Sequence, residues 1–321
     1  MMNNNNALSP AVVFPALSLG RYRFLLESRE NLAIPVFHGS TWRGGLGHAL
    51  LHNSCPWSTN NCMACREKAA CAYYVLYESG SEESGTKDLP RPYLIGPGDA
   101  LGPKVFVEMT LVGEAGKYLP HLIAAWVRAG KVGVGSSRIK YNLRQVDQIL
   151  PNGRLKEVYV DDAGTGDYHS VYPLADYLDH QPPGPPFRIT IKTPLRLKEN
   201  RPPQNGLDLS MVFRSLSIRL SHLNRFFCGG DRPEAGLWNE LRALLSAPGP
   251  ADFNLWWSDG RRHSQRQERH VPMGGVVGEL FVSPLTDIPT WWDWWRAANL
   301  FHLGKAVSMG MGKIMLHNSD H

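Results

Sequence analysis

Four of the five cysteines, Cys55, Cys62, Cys65 and Cys71, fall within seventeen residues with the spacing C-x6-C-x2-C-x5-C. Thiolates grouped this way can close a tetrahedral zinc site, and an iron–sulfur cluster uses the same donors. A structural zinc is the first expectation and a cluster the second; the alternative is a set of free thiols in a loop. Four thiolates leave no coordination position for water, so such a centre would support the fold or hold a ligand rather than hydrolyse one. Cys228 ends a helical pattern and reads as a core thiol.

Two glycine-rich stretches come next. Gly304-Lys305 through Gly310-Met311-Gly312-Lys313 could point backbone N–H groups at a phosphate, with two lysines beside them. The same glycines would equally serve a tight turn. A counterpart, Gly130-Lys131 to Leu143, carries Arg138 and Lys140 on alternate positions. The run Arg261–His270 holds Arg261, Arg262, Arg266 and Arg269 after the pair Trp256-Trp257. A charge run of this kind is a solvated hairpin or a phosphate-neutralising surface with salt-dependent affinity. His48 and His52 lie four apart and share a helical face, with Trp42 and Arg43 one turn earlier and His38 before them. A histidine titrates near neutral pH and can act as general acid or base, although a lone histidine is more often structural and this chain has twelve.

The elements that must position these groups repeat. Lys104–Val112 alternates Val105, Val107, Met109 and Leu111 as a half-buried strand does; Tyr118–Ala129 then keeps helical spacing, and the first glycine stretch leads into a strand. Val276–Val282, Thr290–Phe301 and Gly304–Leu316 repeat the order strand, helix, GK-loop, strand. Glu108 and Lys131 stand 23 apart, Glu279 and Lys305 stand 26 apart. Each half opens on a strand and a helix: Arg21–Leu26 then Thr41–His52, and Phe187–Lys192 then Leu209–Phe227 with Asp208 as its cap. Adding strands near Tyr93–Ile95 and Asn254–Trp257 makes each half βαββαβ. The expected fold is therefore α+β: two tandem ferredoxin-like, RRM-like domains with a cysteine-rich insert. The first spans residues 1–150 (insert 55–71), a linker covers 151–186 around QPPGPP, and the second spans 187–321. Four tryptophans in Trp291–Trp295 read as core, because helical spacing turns some inward. Residues 231–249 read as an extra helix without a function.

The chain has 321 residues, 43% hydrophobic and 20% charged, with net charge +5. A modest basic excess is compatible with a polyanionic partner. No apolar run reaches a membrane span, and the Asn tract of residues 3–6 does not resemble a secretory signal, so a cytoplasmic protein is expected.

Four stretches together are similar to the RAMP superfamily and, within it, to the CRISPR-associated repeat-processing endoribonucleases of Cas-six type: Phe37–Leu50 (FHGSTWRGGLGHAL), Cys55–Tyr74, Gly133–Val146 (GVGSSRIKYNLRQV) and Gly274–Leu316. The resemblance implies two domains facing each other across a cleft, metal-independent cleavage of CRISPR repeat RNA, and retention of the crRNA product. It places the catalytic histidine on or just after the first helix, which puts His48 first, His52 second and His38 third. His302 could stand in for any of them. Lys305 would stabilise charge on the phosphate, and Arg43, Lys131, Arg138, Lys140, the four arginines of the run, Gly304, Gly310, Gly312 and Lys313 would contact RNA. No cofactor is implied for catalysis, and other Cas effector subunits are implied as partners. Two competing functions are a non-catalytic RAMP subunit that only binds guide RNA and a zinc-dependent RNA-binding module unrelated to CRISPR.

Overall fold

The computed structural model describes residues 7–28, 39–56, 61–79, 89–96, 99–161, 163–166, 168, 170–178, 182, 184–197, 206–259, 261–264 and 269–317. Among them no helix is long and apolar enough to cross a membrane. The chain divides into an N-terminal unit, Ser18–Tyr172 with Phe226–Cys228, and a C-terminal unit, Met1–Leu17, Pro173–Arg225 and Gly229–His321.

In the N-terminal unit the elements are β1 (Ser18–Glu27), α1 (Gly39–Ser54), β2 (Tyr93–Ile95), β3 (Lys104–Val112), α2 (Leu119–Val132), β4 (Asn142–Ile149) and β5 (Leu155–Val160). The main path of the sheet runs β2-β3-β1-β4-β5, every neighbour antiparallel. Alternation works as the strands require: Tyr22, Phe24 and Leu26 of β1 and Val105, Val107, Met109 and Leu111 of β3 are buried. The helices close that face. Trp126 of α2 is fully buried, 5.4 Å from the Phe24 ring and 5.5 Å from the Trp42 ring of α1.

The C-terminal unit contains β6 (Phe187–Leu195), α3 (Leu209–Phe227), α4 (Ala235–Leu245), β7 (Ala251–Ser258), a hairpin of Arg261–Ser264 with Arg269–Pro272, β8 (Gly275–Val282), α5 (Ile288–Phe301) and β9 (Ile314–His317). Its main sheet runs β7-β8-β6-β9, again antiparallel throughout. Numbered within each unit, both sheets place their strands second, third, first, fourth. The repetition extends to side chains. Arg21 pairs diagonally with Glu108 at 3.4 Å, and Arg188 pairs diagonally with Glu279 at 2.9 Å. In each case the arginine lies two residues before the one opposite the glutamate, Arg23 in β1 and Thr190 in β6. Half-exposed pairs of this kind add little stability, about 0–1 kcal/mol, so they matter here as a mark of duplication.

Two expectations change and one holds. Residues 151–186 are not simply a linker, because β5 pairs with β4 and buries Val158, while Leu174–Leu178 is a short helix of the C-terminal unit. The N-terminal residues do not join the first domain. The Trp294 indole donates to the Leu8 carbonyl at 3.0 Å, Ser9 Oγ donates to Asp293 at 2.7 Å, and Phe14 meets the Trp294 ring at 6.5 Å. Leu8, Ser9 and Phe14 thus pack against the aromatic helix α5. Finally, all four tryptophans of α5 are buried, with Trp295 4.7 Å from Phe213 and Trp292 5.0 Å from Phe187. The core reading of that segment is correct.

Asp208 caps α3 as expected. Its carboxylate accepts the Met211 amide at 3.0 Å and the Ser210 hydroxyl at 2.7 Å. Those bonds, the Met211 amide first, hold its pKa below the ordinary aspartate value of 3.8. Asp208→Ala is expected to lower stability by about 1 kcal/mol in urea unfolding at pH 7. A depressed folded pKa stabilises above the unfolded value and is lost as pH falls through the folded one, so the difference between the two proteins should shrink below pH 3.8. Trp295→Ala should cost about 3–5 kcal/mol, because its side chain is 1% exposed. Trp256→Ala, at a site 58% exposed, should stay within about 0.5 kcal/mol in the same assay.

Candidate functional site

On α1 the apolar side chains Trp42, Leu46, Ala49 and Leu50 face the core, which leaves His48 and His52 exposed one turn apart. Gly47 permits the close seating of this helix, since a Cβ there would stand 2.5 Å from the Tyr77 ring. Arg43 does not project with the histidines. Its guanidinium sits 5.1 Å from the Tyr77 ring centroid, within a group where Tyr77 stacks on Tyr73 at 5.4 Å and meets Tyr93 at 5.3 Å. Arg43, expected as an RNA contact, is thus held against this tyrosine group. His38 lies outside the described residues.

The first glycine loop is a closed turn. Val134 and Ile139 exchange backbone hydrogen bonds at 3.0 Å each, and Arg138 adopts a left-handed φ of 46°. Lys131, Arg138 and Lys140 are all exposed. The loop leans on α1: a Cβ on Gly45 would stand 2.7 Å from Val134, and one on Gly135 would stand 3.4 Å from Thr41. The N-terminal unit therefore brings the loop carrying Arg138 against the helix that carries His48.

The second loop is more deeply built in. Gly304, Gly310 and Gly312 have φ of 73°, 81° and 69°, and His302 and Ala306 share the left-handed region at 56° and 58°. Side chains at two of the glycines are excluded: a Cβ on Gly304 would lie 2.4 Å from the Arg196 carbonyl, and one on Gly312 would lie 1.8 Å from the Leu303 carbonyl. Strand β6 grips the loop from one side. Lys305 N–H donates to Arg196 O at 2.8 Å, Gly312 N–H donates to Pro194 O at 3.1 Å, and Thr193 Oγ1 donates to Gly310 O at 2.7 Å while accepting from Lys313 N–H at 2.8 Å. These glycines are buried, so their first service is the turn itself. Lys305 is exposed and is the outward cation; Lys313 is half-buried. His302 is buried, with Nδ1 3.2 Å from Met311 O, which removes it as a stand-in for His48.

Arg261, Arg262 and Arg269 lie on the paired strands of the hairpin, opposite Pro272, Val271 and Ser264. Arg266 lies outside the described residues. A group not expected from the sequence occupies the polar face of the C-terminal sheet. His317 Nε2 is 2.7 Å from Thr190 Oγ1, beside the Arg188–Glu279 pair. Partial burial, then the Arg188 guanidinium, lower the His317 pKa below its ordinary value. The alternation Arg188, Thr190, Lys192 was the available signal, but nothing in it points to a histidine 127 residues away.

The four clustered cysteines share a neighbourhood without converging. Cys62 is pushed up by burial first, then by Glu78 and the other three thiols. All four are half-buried. Among the described residues no three His, Cys, Asp or Glu side chains are grouped so as to hold a metal ion. A closed tetrahedral site needs thiolates about 2.3 Å from one point. The expected zinc centre is not supported by this arrangement.

Comparison with known proteins follows the division of the chain. Residues 17–171 match a family described as an N-terminal domain, and residues 189–314 match the family described as CRISPR-associated endoribonuclease Cas6. An uncharacterised protein of Archaeoglobus fulgidus is 28% identical over 131 residues, a stretch that covers 39% of this chain and 44% of that protein. Among solved structures, a Cas6 product complex aligns with a TM-score of 0.57 at 12% identity, covering 93% of this chain and 99% of that one. Cas6 of Thermus thermophilus aligns at 0.52 and 13% identity, covering 94% and 99%. A partial Cas6-RT-Cas1–Cas2 complex aligns at 0.54 and 12%, covering 95% of this chain and 46% of that one. These structural likenesses establish a shared fold. Residues 189–314 of this chain are thus similar to the CRISPR-associated endoribonuclease Cas6 family.

Proposed function

We propose that the chain binds CRISPR repeat RNA and cuts precursor crRNA, using two ferredoxin-like units whose strand order, second-third-first-fourth, is common to both sheets. The observation that carries the reading is the family match over residues 189–314, a segment that includes the glycine-rich loop with Lys305 turned outward. The exposed cations Lys131, Arg138 and Lys140 and the arginine hairpin supply further phosphate contacts.

RNA carries its own nucleophile. A base withdraws the 2′-hydroxyl proton, the 2′-oxygen forms a bond to the adjacent phosphorus, and the bond to the 5′-oxygen breaks as an acid protonates it. The products are a 2′,3′-cyclic phosphate and a 5′-hydroxyl, and this route needs proton transfer and cationic charge rather than a metal-bound nucleophile. An exposed imidazole, His48 first and His52 second, serves the proton transfer; Lys305 stabilises charge on the phosphorane. The enzyme retains the crRNA product, and other Cas subunits are its partners.

Incubated with the repeat encoded beside its gene in the presence of EDTA, the protein should cut at one position and leave a cyclic phosphate. His48→Ala should slow single-turnover cleavage by about 10²–10⁴-fold and His52→Ala by less. Normal rates in both variants would remove the histidine assignment. Lys305→Ala should weaken repeat binding and lower the slope of log affinity against log salt by about 0.7–0.9, as loss of one phosphate contact requires.

A further inference from the structure

Arg219 lies in the middle of α3 and is buried, and its charge has no carboxylate partner among the described residues. Its guanidinium instead donates to three backbone carbonyls: Phe301 at 3.0 Å, His302 at 2.8 Å, and Gly304. Burial pulls its pKa down to about 10, which still leaves it charged at neutral pH.

The three acceptors are the last residue of α5 and the entry to the second glycine loop. Carbonyls at a helix C-terminus lack helical partners and form its negative end. A planar five-donor cation can satisfy several of them at once, which an ammonium cannot do with the same geometry. Such a surface near the loop would otherwise repel a phosphate. With the oxygens of residues 301, 302 and 304 turned inward onto Arg219, they are withdrawn from any ligand, and the next side chain, Lys305, is the exposed one.

We propose that Arg219 is a positioning residue for the phosphate-binding loop, holding Gly304 and Lys305 in place from within the fold and neutralising the carbonyl end of α5 without touching RNA. The functional half of this inference rests on the loop being the phosphate surface, as proposed above. Two properties follow. The loop should loosen when the guanidinium is removed. RNA affinity should fall without loss of a phosphate contact, because a buried cation releases no counterion on binding.

The test uses the full chain with Arg219→Gln and, as the charge-retaining variant, Arg219→Lys, which can fold where Gln leaves the carbonyls unmet. Hydrogen exchange should quicken at least about tenfold for amides 303–313 in both variants, while β6 and β8 keep their protection. Affinity for a repeat RNA oligonucleotide should drop about tenfold or more with an unchanged salt slope, in contrast to Lys305→Ala. Unchanged exchange in the loop, in whichever variant folds, overturns the brace whatever the RNA result. A salt slope reduced by about one also overturns it, since Arg219 would then be a direct contact. Faster exchange with unaltered RNA affinity supports the brace but overturns the loop as the phosphate surface, and with it the reading under the proposed function.

Discussion

The carbonyl oxygens where α5 ends cannot be left to water, because residues 301 to 304 are all buried. A buried carbonyl without a donor costs on the order of 1–3 kcal/mol, so each must find one. A single guanidinium from α3 meets the carbonyls of Phe301, His302 and Gly304. Chain direction has to reverse there, from a helix into a strand at the edge of the sheet, which calls for left-handed backbone at five positions between 302 and 312. Glycine accepts that conformation at three of them, and bonds from Thr193, Pro194 and Arg196 hold the loop at Lys305, Gly310, Gly312 and Lys313.

The two units solve the same topological problem differently. Each has the same strand order and a diagonal Arg–Glu pair between its first and third strands. In the N-terminal unit the loop after the second helix closes on itself through Val134 and Ile139 and rests on the first helix by small-residue contact at Gly45 and Gly135. In the C-terminal unit the equivalent loop is longer, is drawn toward the first helix by Arg219, and leaves Lys305 exposed. The second arrangement turns the carbonyl oxygens of residues 301, 302 and 304 inward beside an exposed lysine.

Much of this was legible in the order of residues. The alternation at Val105–Leu111, the stripe of Leu209–Phe227 with Asp208 ahead of it, and the repeated GK-loops rest on local periodicity, and each element appears where that periodicity puts it. The two missing strands were placed at Tyr93–Ile95 and Asn254–Trp257, and strands occupy both places. Exposure of His48 and His52 also follows from local geometry, since the apolar residues of α1 claim the opposite face.

What the linear order determined was therefore the elements, their repetition and which side of each meets the core, because these depend on spacings within a few turns or strand residues. Only the tertiary structure decided where the polar groups point. Arg43 turned into a tyrosine group, His302 went under the loop it was expected to flank, and Arg219 and His317 found partners 82 and 127 residues away. A polar side chain goes wherever a buried donor or acceptor needs it, and that need arises only when distant segments are packed together.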